Sequence, residues 1–432
     1  MSELRQILED VRRQVQPSER SYDRLLRRYH RRQVAQRVTT VAIALLLAMG
    51  GLYGAIRALP HGRHGPTIPA SPAITDMNVA RLAPAWSRRL GAVGEASPVL
   101  YRGLVYVASL DGHLYALDAR SGRVRWQASV GAGMPRAPVV AAGMVYVHAS
   151  NGRLYGFRTG CGHPECGSAW TAETGGSNGS PPVAASGNVY VSTGTGRLLA
   201  FSGTCEGSPH ACTPIWSGRT GRGRTGGPAV GSGFVWDTSS GSLFAFPEAC
   251  QGDCRPSLKA YRPNGQLITS DPVIAGDVVL FGTDEGRLYA LPATCATSPR
   301  CRPLWQGDIG GTIDATPTVD GGTVYVGSED GVLASFAMAC TSHCSPLWEA
   351  RTRAAVSSPI TVAGGLAYAG LKDGTLEAVP TDCGTPAGRC PPAWTTHLAG
   401  EALSPAVWSG RAIYETSRSG QVMAFTVGGS RI

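Results

Sequence analysis

The sequence predicts an all-β fold, an eight-bladed β-propeller of four-stranded blades, and three observations support it. A hairpin pattern recurs eight times at intervals of 40 to 46 residues, which is the period of a propeller blade. Turns are dense, because 57 Gly and 30 Pro stand among the 432 residues. An aromatic residue follows each of the first seven hairpins, and the one that the eighth hairpin lacks lies ahead of the first repeat. We therefore expect an N-terminal strand to close the ring.

Ahead of the propeller, the sequence predicts a cytoplasmic helical segment and one transmembrane helix. Residues 38–56 carry no charge, and at 1.5 Å per residue they nearly span a hydrocarbon layer of ~30 Å. Arginines are concentrated in residues 1–37, so this end is predicted to stay in the cytoplasm while the propeller lies outside a single-pass cell-membrane protein. A cleaved signal peptide is the alternative to this signal anchor, although both the leading region and the apolar core are long for one.

Charge and periodicity divide the chain further. Residues 1–37 hold ten Arg and five acidic residues, so they contribute +5 of the net charge of +9. The weakly basic remainder argues against nucleic acid as a partner. Apolar residues at helical spacing in the same segment indicate either a docking helix for a cytoplasmic partner or a helix lying on anionic lipid. The predicted segments are 1–37 (helical), 38–56 (transmembrane), 57–82 (linker), 83–427 (propeller) and 428–432 (tail).

The best copy of the repeated hairpin runs from Val105 to Asp118. It alternates apolar and small residues, turns at Asp111-Gly112 and alternates again, which is typical of two antiparallel strands joined by a tight turn. A proline-marked strand precedes each hairpin, and a short strand with an aromatic residue follows it. These aromatic residues, including the one ahead of the first repeat, are Trp86, Trp126, Trp170, Trp216, Tyr261, Trp305, Trp348 and Trp394.

The segment from Ala116 to Trp126, with its Ser121-Gly122 turn, resembles the tryptophan-docking motif of the pyrroloquinoline-quinone (PQQ) repeat family. The resemblance covers about residues 83–427. It implies eight four-stranded blades in which each docking aromatic packs between neighbouring blades. Only the first repeat keeps the whole motif, because the other repeats retain the aromatic residue and replace the Ser/Thr-Gly turn.

In each of the second to seventh repeats, a segment with two cysteines stands in place of that turn, so that the twelve cysteines form six local pairs. An even number of cysteines outside the membrane predicts disulfides, and the spacing and the phase of the repeat select the pairing. Zinc is the alternative where a His stands between the two cysteines, but a structural zinc needs four ligands and the next pair lies in another blade. Free thiols are a further alternative. The expected disulfides are Cys161–Cys166, Cys205–Cys212, Cys250–Cys254, Cys295–Cys301, Cys340–Cys344 and Cys383–Cys390.

Two functional classes follow from the resemblance. Dehydrogenases of the family bind the quinone over the channel, with Ca²⁺ held by Glu and Asn and with an Asp as the base. These dehydrogenases often also carry two adjacent cysteines beneath the quinone, and no two cysteines are adjacent in this chain. Asp111, Asp330 and Asp373 stand in turns, where Asp is a common residue for structural reasons. We therefore expect no catalytic, cofactor-binding or metal-binding residue, and no cofactor.

The second class is protein binding, which the resemblance implies for cofactor-free members of the family. The sequence thus predicts a membrane-anchored extracytoplasmic propeller that acts as a non-catalytic protein-interaction scaffold in the cell envelope. Its expected partners are membrane lipid, through residues 38–56, and an unidentified envelope protein or glycan. A receptor for a small ligand or glycan is the alternative, and a quinone-dependent dehydrogenase is a further one.

Overall fold

The structure, a computed structural model, has eight four-stranded blades in the described part of the chain, and two of the eight β-sheets gain a fifth strand from the following blade. The described residues are 71–432 except Glu95, Asn178, 206–210, Arg224, Pro299, 384–389, Leu403 and Arg431. The first strand, β1 (Leu82–Arg89), belongs to the last blade. Blades 1 to 4 follow in chain order: β2 (Val99–Tyr101), β3 (Leu104–Ala108), β4 (His113–Asp118), β5 (Val124–Ser129), β6 (Val139–Ala141), β7 (Met144–Ala149), β8 (Arg153–Arg158), β9 (Trp170–Glu173), β10 (Val183–Ala185), β11 (Asn188–Thr193), β12 (Arg197–Ser202), β13 (Trp216–Arg219), β14 (Ala229–Gly231), β15 (Phe234–Ser239), β16 (Ser242–Pro247), β17 (Gly252–Cys254) and β18 (Leu258–Tyr261).

The second half of the ring repeats the same order. Its strands are β19 (Val273–Ala275), β20 (Val278–Gly282), β21 (Arg287–Pro292), β22 (Trp305–Asp308), β23 (Thr318–Asp320), β24 (Thr323–Gly327), β25 (Val332–Ala337), β26 (Ser342–Cys344), β27 (Trp348–Arg351), β28 (Thr361–Ala363), β29 (Leu366–Gly370), β30 (Thr375–Pro380), β31 (Trp394–His397), β32 (Val407–Trp408), β33 (Ile413–Thr416) and β34 (Gln421–Val427). The short helices are 3₁₀ segments: Val79–Arg81, Pro263–Gly265 and Ala293–Ala296.

Each blade is built around the predicted hairpin. In blade 1, β3 and β4 pair antiparallel with Tyr106 opposite Ala116. Gly112 has a φ of +88° at the turn, a conformation that glycine adopts without steric cost. The Asp111 carboxylate accepts a hydrogen bond from the backbone N–H of His113 at 2.9 Å, so this side chain serves the turn.

The ring closes through the N-terminal strand, as predicted. Blade 8 has the strand order β1-β34-β33-β32, so its outer strand comes from the beginning of the propeller and the other three from its end. Trp86 on β1 lies opposite Ala424 on β34, next to an irregularity in the register between Pro84 and Trp86. The eight-bladed fold with an N-terminal closing strand is therefore confirmed.

A row of three side chains crosses most blades at the same register. The docking aromatic on the outer strand packs against an aromatic of the second strand, with a small residue between them on the third strand. In blade 1 the rings of Trp126 and Tyr106 lie 5.8 Å apart across Ala116. In blade 2 a Cβ on Gly156 would lie only 2.6 Å from the ring of Trp170, so this position admits no side chain. The small middle residue is what allows the two rings to touch.

The docking tryptophans also connect neighbouring blades. Among the described residues, five of these tryptophans donate the indole N–H to a backbone carbonyl of the following blade. The bonds are Trp86 to Ala119 (2.9 Å), Trp170 to Gly203 (3.2 Å), Trp305 to Met338 (3.1 Å), Trp348 to Thr381 (2.9 Å) and Trp394 to Leu82 (3.2 Å). Each bond gives the indole donor an acceptor in the neighbouring sheet and so ties two sheets together.

All six predicted disulfides form, each within its own repeat. The loops that they close also contact the preceding blade, which the sequence did not indicate. β17, in the loop of blade 4, pairs parallel with β13 of blade 3, and β26, in the loop of blade 6, pairs parallel with β22 of blade 5. Cys212 likewise lies opposite Ala172 of blade 2. These disulfide loops therefore cover outer strand edges that would otherwise be open.

The prediction of a single-pass cell-membrane protein is corrected. Within the described residues, no helix is long and apolar enough to cross a membrane. The helices there have three or four residues, which at ~2 Å per residue fall far short of a ~30 Å layer. The predicted cytoplasmic helical segment (1–37) and transmembrane helix (38–56) lie outside the described residues, and so does the predicted lipid contact.

Part of the predicted linker packs on the propeller. Ile74 and Val79 are buried in a cluster with Leu366 and Phe425. The backbone N–H of Ile74 donates to the carbonyl of Gly410 at 2.9 Å. Apolar burial therefore begins before the first strand.

Loss of the closing strand is expected to damage the fold more than loss of one disulfide. Removal of residues 58–90 takes away β1 and exposes an edge of β34, so this variant should aggregate or unfold. Replacement of Cys340 and Cys344 by Ser should cost about 2 kcal/mol, because the disulfide closes a short loop. Thermal denaturation and size-exclusion chromatography compare the two variants with the intact protein. If the truncated protein melts like the intact one, closure through Trp86 does not support the ring.

Candidate functional site

A cavity of about 500 Å³ lies at one mouth of the central channel. Each blade lines it with the residue two positions before its first strand, so the cavity sits on the axis of the ring. We call these eight residues the channel ring: Ser97, Ala137, Pro181, Gly227, Asp271, Thr316, Pro359 and Pro405. Most of them are small or lack a flexible side chain, which keeps the mouth open.

Charged side chains surround the channel ring. Hairpin turns contribute Glu329, Lys372 and Arg418 from blades 6, 7 and 8. The Lys372 ammonium contacts the carboxylate of Glu329, and the Arg418 guanidinium donates to Glu401 at 2.6 Å. Both ion pairs bridge separate segments of the chain at the mouth. Because their side chains are partly exposed, each pair is worth little stability, and their charges remain accessible to a ligand.

Two buried acidic residues occupy the same register of opposite blades. Asp237 on β15 follows Trp236, which pairs with Ala229, and Glu415 on β33 follows Tyr414, which pairs with Val407. The equivalent residues of the other blades are apolar: Val107, Val147, Val191, Phe281, Val326 and Ala369. In a ring of eight, blades 4 and 8 face each other across the channel. Both acidic side chains are fully buried.

The Asp237 carboxyl is held by two hydroxyls. Ser192 of blade 3 donates to one oxygen, and Ser239 donates to the other at 2.7 Å. Burial raises the pKa of Asp237 to about 6, and the negative charge of Asp271 in the channel ring acts in the same direction. Asp237 therefore connects blade 4 to blade 3 through its hydrogen bond with Ser192.

The Glu415 carboxyl is less well satisfied. Its Oε1 accepts from the Ser404 hydroxyl at 2.8 Å and from the backbone N–H of Thr416 at 3.2 Å. Its Oε2 has no hydrogen-bond partner among the described residues. Burial raises the pKa of Glu415 to about 8, so the side chain carries a proton at neutral pH.

Sequence reasoning did not find these two acidic residues. The signal is present in the repeat: once the eight copies are aligned on their first strands, an acidic residue replaces an apolar one at the same position of two repeats. The carboxylates that the sequence brings to notice are those of the turns, Asp111, Asp330 and Asp373. Of these, Asp111 and Asp373 do accept backbone N–H groups two residues further on.

The predicted site residues are distributed around the ring and do not converge on the channel mouth. The docking aromatics lie on outer strands, and the disulfide loops lie on the face opposite the hairpin turns. Tyr261 differs from the tryptophans in register, because it pairs with Leu243 while Leu258 lies opposite Ala245. In blade 4, Leu258 thus occupies the position that a tryptophan holds elsewhere.

The residues at the channel mouth do not fit a quinone with Ca²⁺. No group of three or more His, Cys, Asp or Glu side chains that could hold a metal ion occurs in the part of the chain that the structure describes. The described residues that line the cavity include no aromatic side chain, so they offer a planar ring system no stacking surface.

Comparison with known proteins gives a family and a fold. The sequence-family profile described as outer membrane protein assembly factor BamB matches residues 83–251, 255–342 and 302–431. No curated protein sequence matches the chain significantly.

Solved structures share the fold at low sequence identity. BamB from Moraxella catarrhalis is 14% identical with a TM-score of 0.62, and the alignment covers 80% of this chain and 99% of that one. The designed protein Ika8 is 11% identical with a TM-score of 0.63, over 79% of this chain and 98% of that one. The quinohemoprotein alcohol dehydrogenase from Comamonas testosteroni is 14% identical with a TM-score of 0.62, over 84% of this chain and 79% of that one.

Glu415→Gln is expected to flatten the pH dependence of stability between about pH 4.5 and about pH 8. A carboxyl with a raised folded pKa binds its proton in the folded state but releases it on unfolding, so the free energy of unfolding falls as pH rises from 4.5 towards about 8. The Gln variant should therefore melt at a higher temperature than the intact protein at about pH 8 and should change little between about pH 6.5 and 8.

Asp237→Asn serves as the matched control. Since the pKa of Asp237 is raised only to about 6, this variant should change the slope at lower pH and leave the slope above neutral pH unaltered. Differential scanning calorimetry over this pH range measures both. An unchanged slope in the Glu415→Gln protein would show that this carboxyl is already ionised when folded.

Proposed function

The chain belongs to the family of the outer membrane protein assembly factor BamB, and on that premise we propose that it is a protein-interaction scaffold without catalytic activity. The observation that carries the proposal is the extent of the family match, from residue 83 to residue 431, which includes every blade. The profile's own description names an assembly factor, that is, a protein that acts on other proteins.

The rigidity of the ring supports this role. Neighbouring blades are joined by indole-to-carbonyl hydrogen bonds and, at several junctions, by parallel pairing of a disulfide loop. A binding surface built on such a frame loses little conformational entropy when a partner docks. The connecting loops and turns on both faces can therefore present fixed side chains to a protein.

A second candidate function is a receptor for a small ligand or glycan. The observation in its favour is the cavity at the channel mouth, whose volume of about 500 Å³ lies within the range of small-molecule sites. Its polar and charged lining suits a hydrophilic ligand. The dehydrogenase alternative lacks comparable support, because the mouth offers neither a metal-ligand cluster nor an aromatic stacking surface within the described residues.

A scaffold should form specific adducts with a protein partner in its own cells. A photoreactive amino acid at Asp330, on the hairpin-turn face, or at Thr341, on the disulfide face, reports which face is covered. We expect one of the two positions to yield a discrete adduct, identified by mass spectrometry, while the other remains unmodified. Failure of both positions, and of further exposed positions on each face, to yield any adduct would contradict the scaffold.

Small molecules should not stabilise a scaffold. Incubation of the purified protein with PQQ and Ca²⁺, or with a panel of oligosaccharides, should leave its melting temperature unchanged. The measurement is a thermal-shift assay combined with the absorbance of the protein after desalting. Stoichiometric retention of the quinone, or stabilisation by one glycan, would favour the enzyme or the receptor instead.

A further inference from the structure

A basic groove lies on the disulfide face, between blades 1 and 2. Its volume is about 720 Å³. Blade 1 contributes the turn at Arg102, the turn from Asp118 to Arg120, and Arg125 on the outer strand. Blade 2 contributes its disulfide loop from Cys161 to Pro164. We call this the blade 1–2 groove. It lies away from the channel mouth, and none of its residues lines the cavity there.

The absence of a cysteine pair in repeat 1 explains where the groove forms. In blades 2 to 7 a disulfide loop joins the third and fourth strands, whereas blade 1 has the short Ser121-Gly122 turn at that place. The short turn leaves space beside the disulfide loop of blade 2. At this junction a blade with a short turn is followed by a blade with a disulfide loop.

The blade 2 wall of the groove is fixed. The Cys161–Cys166 disulfide closes the loop, and the backbone of Gln127 on β5 donates to Pro164 and accepts from Cys166, both at 2.8 Å. The Gln127 side chain also donates to Glu165 at 2.6 Å. A site with this wall is preorganised, so a ligand would not have to order it.

Asp118 is the one acidic residue among the described residues that line the groove, and its carboxylate is already hydrogen-bonded. The Asp118 carboxylate accepts from Arg125 at 2.7 and 3.1 Å and from the Ser121 hydroxyl at 2.8 Å. These hydrogen bonds, with those from the backbone, hold the pKa of Asp118 below its usual value although its partial burial acts in the opposite direction. Asp118 thus neutralises Arg125 and has no capacity left for the other arginines.

Two guanidinium groups remain without a carboxylate partner among the described residues. Arg102 is exposed and lies over the ring of Tyr101, with its Cζ atom 5.2 Å from the ring centroid, which restricts its orientation. Arg120 is exposed at the adjacent turn. On the groove floor, the buried indole N–H of Trp126 also has no acceptor in the described part of the chain. Donors therefore exceed acceptors among these side chains.

We propose that the blade 1–2 groove binds an acidic segment of a protein partner, and that Arg102 and Arg120 form hydrogen bonds with its carboxylates. The proposal rests on the scaffold function and specifies the chemistry of the partner. Guanidinium groups bind carboxylates through paired N–H···O hydrogen bonds, and a groove open at the surface admits an extended peptide. Since both arginines are exposed, the interaction should weaken as salt concentration rises.

The test is fluorescence anisotropy of a labelled ten-residue peptide that alternates Glu with Ser, titrated with the full chain. Arg102→Ala combined with Arg120→Ala should reduce affinity by about tenfold or more. Arg219→Ala combined with Arg351→Ala removes the same charge from exposed outer strands and should change affinity less than about twofold. Equal melting temperatures of both variants establish that the ring is intact.

Several results would overturn the proposal. These are an equal loss in both double variants, binding of a Lys/Ser peptide as tight as that of the Glu/Ser peptide, or displacement by inorganic phosphate but not by chloride at equal ionic strength. Photo-adducts at Thr341 separate this failure from failure of the scaffold itself. If a protein adduct persists unchanged in the Arg102/Arg120 variant, the scaffold stands and the groove is not its contact.

Discussion

The structure depends on the contact of each outer strand with the blade that follows it. No blade has a core of its own large enough to stand alone, because a four-stranded sheet must bury both faces against its neighbours. Trp86, Trp170 and Trp348 meet this need twice: the ring packs on an aromatic residue of its own blade, and the indole N–H donates to a carbonyl of the next one. A small residue such as Ala116 or Gly156 is required between the two rings. The repeat therefore conserves a pattern of sizes across three strands as much as it conserves a single aromatic residue.

The disulfide loops take part in the same contact. In the first repeat, the short Ser121-Gly122 turn joins β4 directly to β5. Gly122 also leaves room for the ring of Trp86, since a Cβ there would lie 2.6 Å from that ring. In later repeats a longer loop replaces the turn and needs a disulfide to hold its shape. The second cysteine of several loops then pairs with the outer strand of the preceding blade. Each of these crosslinks is local in sequence, but its effect extends to the neighbouring blade.

The sequence predicts the features that recur in every repeat, but few of the features that belong to single blades. The phase of the hairpins and the unmatched Trp86 were sufficient for blade number, closure and disulfide pairing, because each of these follows from counting equivalent positions. The channel ring could not be foreseen, since residues as different as Gly227, Asp271 and Pro405 share only a place beside the axis. Asp237 and Glu415 have a sequence signal, but their burial depends on a neighbouring sheet. Tyr261 shows the limit of counting, because a shifted register in blade 4 places Leu258 where an aromatic residue was expected.

Blade 8 also has a consequence for the order in which the chain can fold. Leu82 on β1 pairs with Val427 on β34, 345 residues later. The first strand of the propeller therefore stays unpaired until the last one has been synthesised. Blades 1 to 7 are continuous in sequence and can form one after another as synthesis proceeds, and each disulfide can be oxidised as soon as its own repeat is complete. The entropic cost of the final closure grows only with the logarithm of chain length, and prior stacking of seven blades brings the two ends into reach. Until then β1 is an unpaired strand, and the interval between its synthesis and that of β34 is when a nascent propeller is most exposed to pairing with another chain.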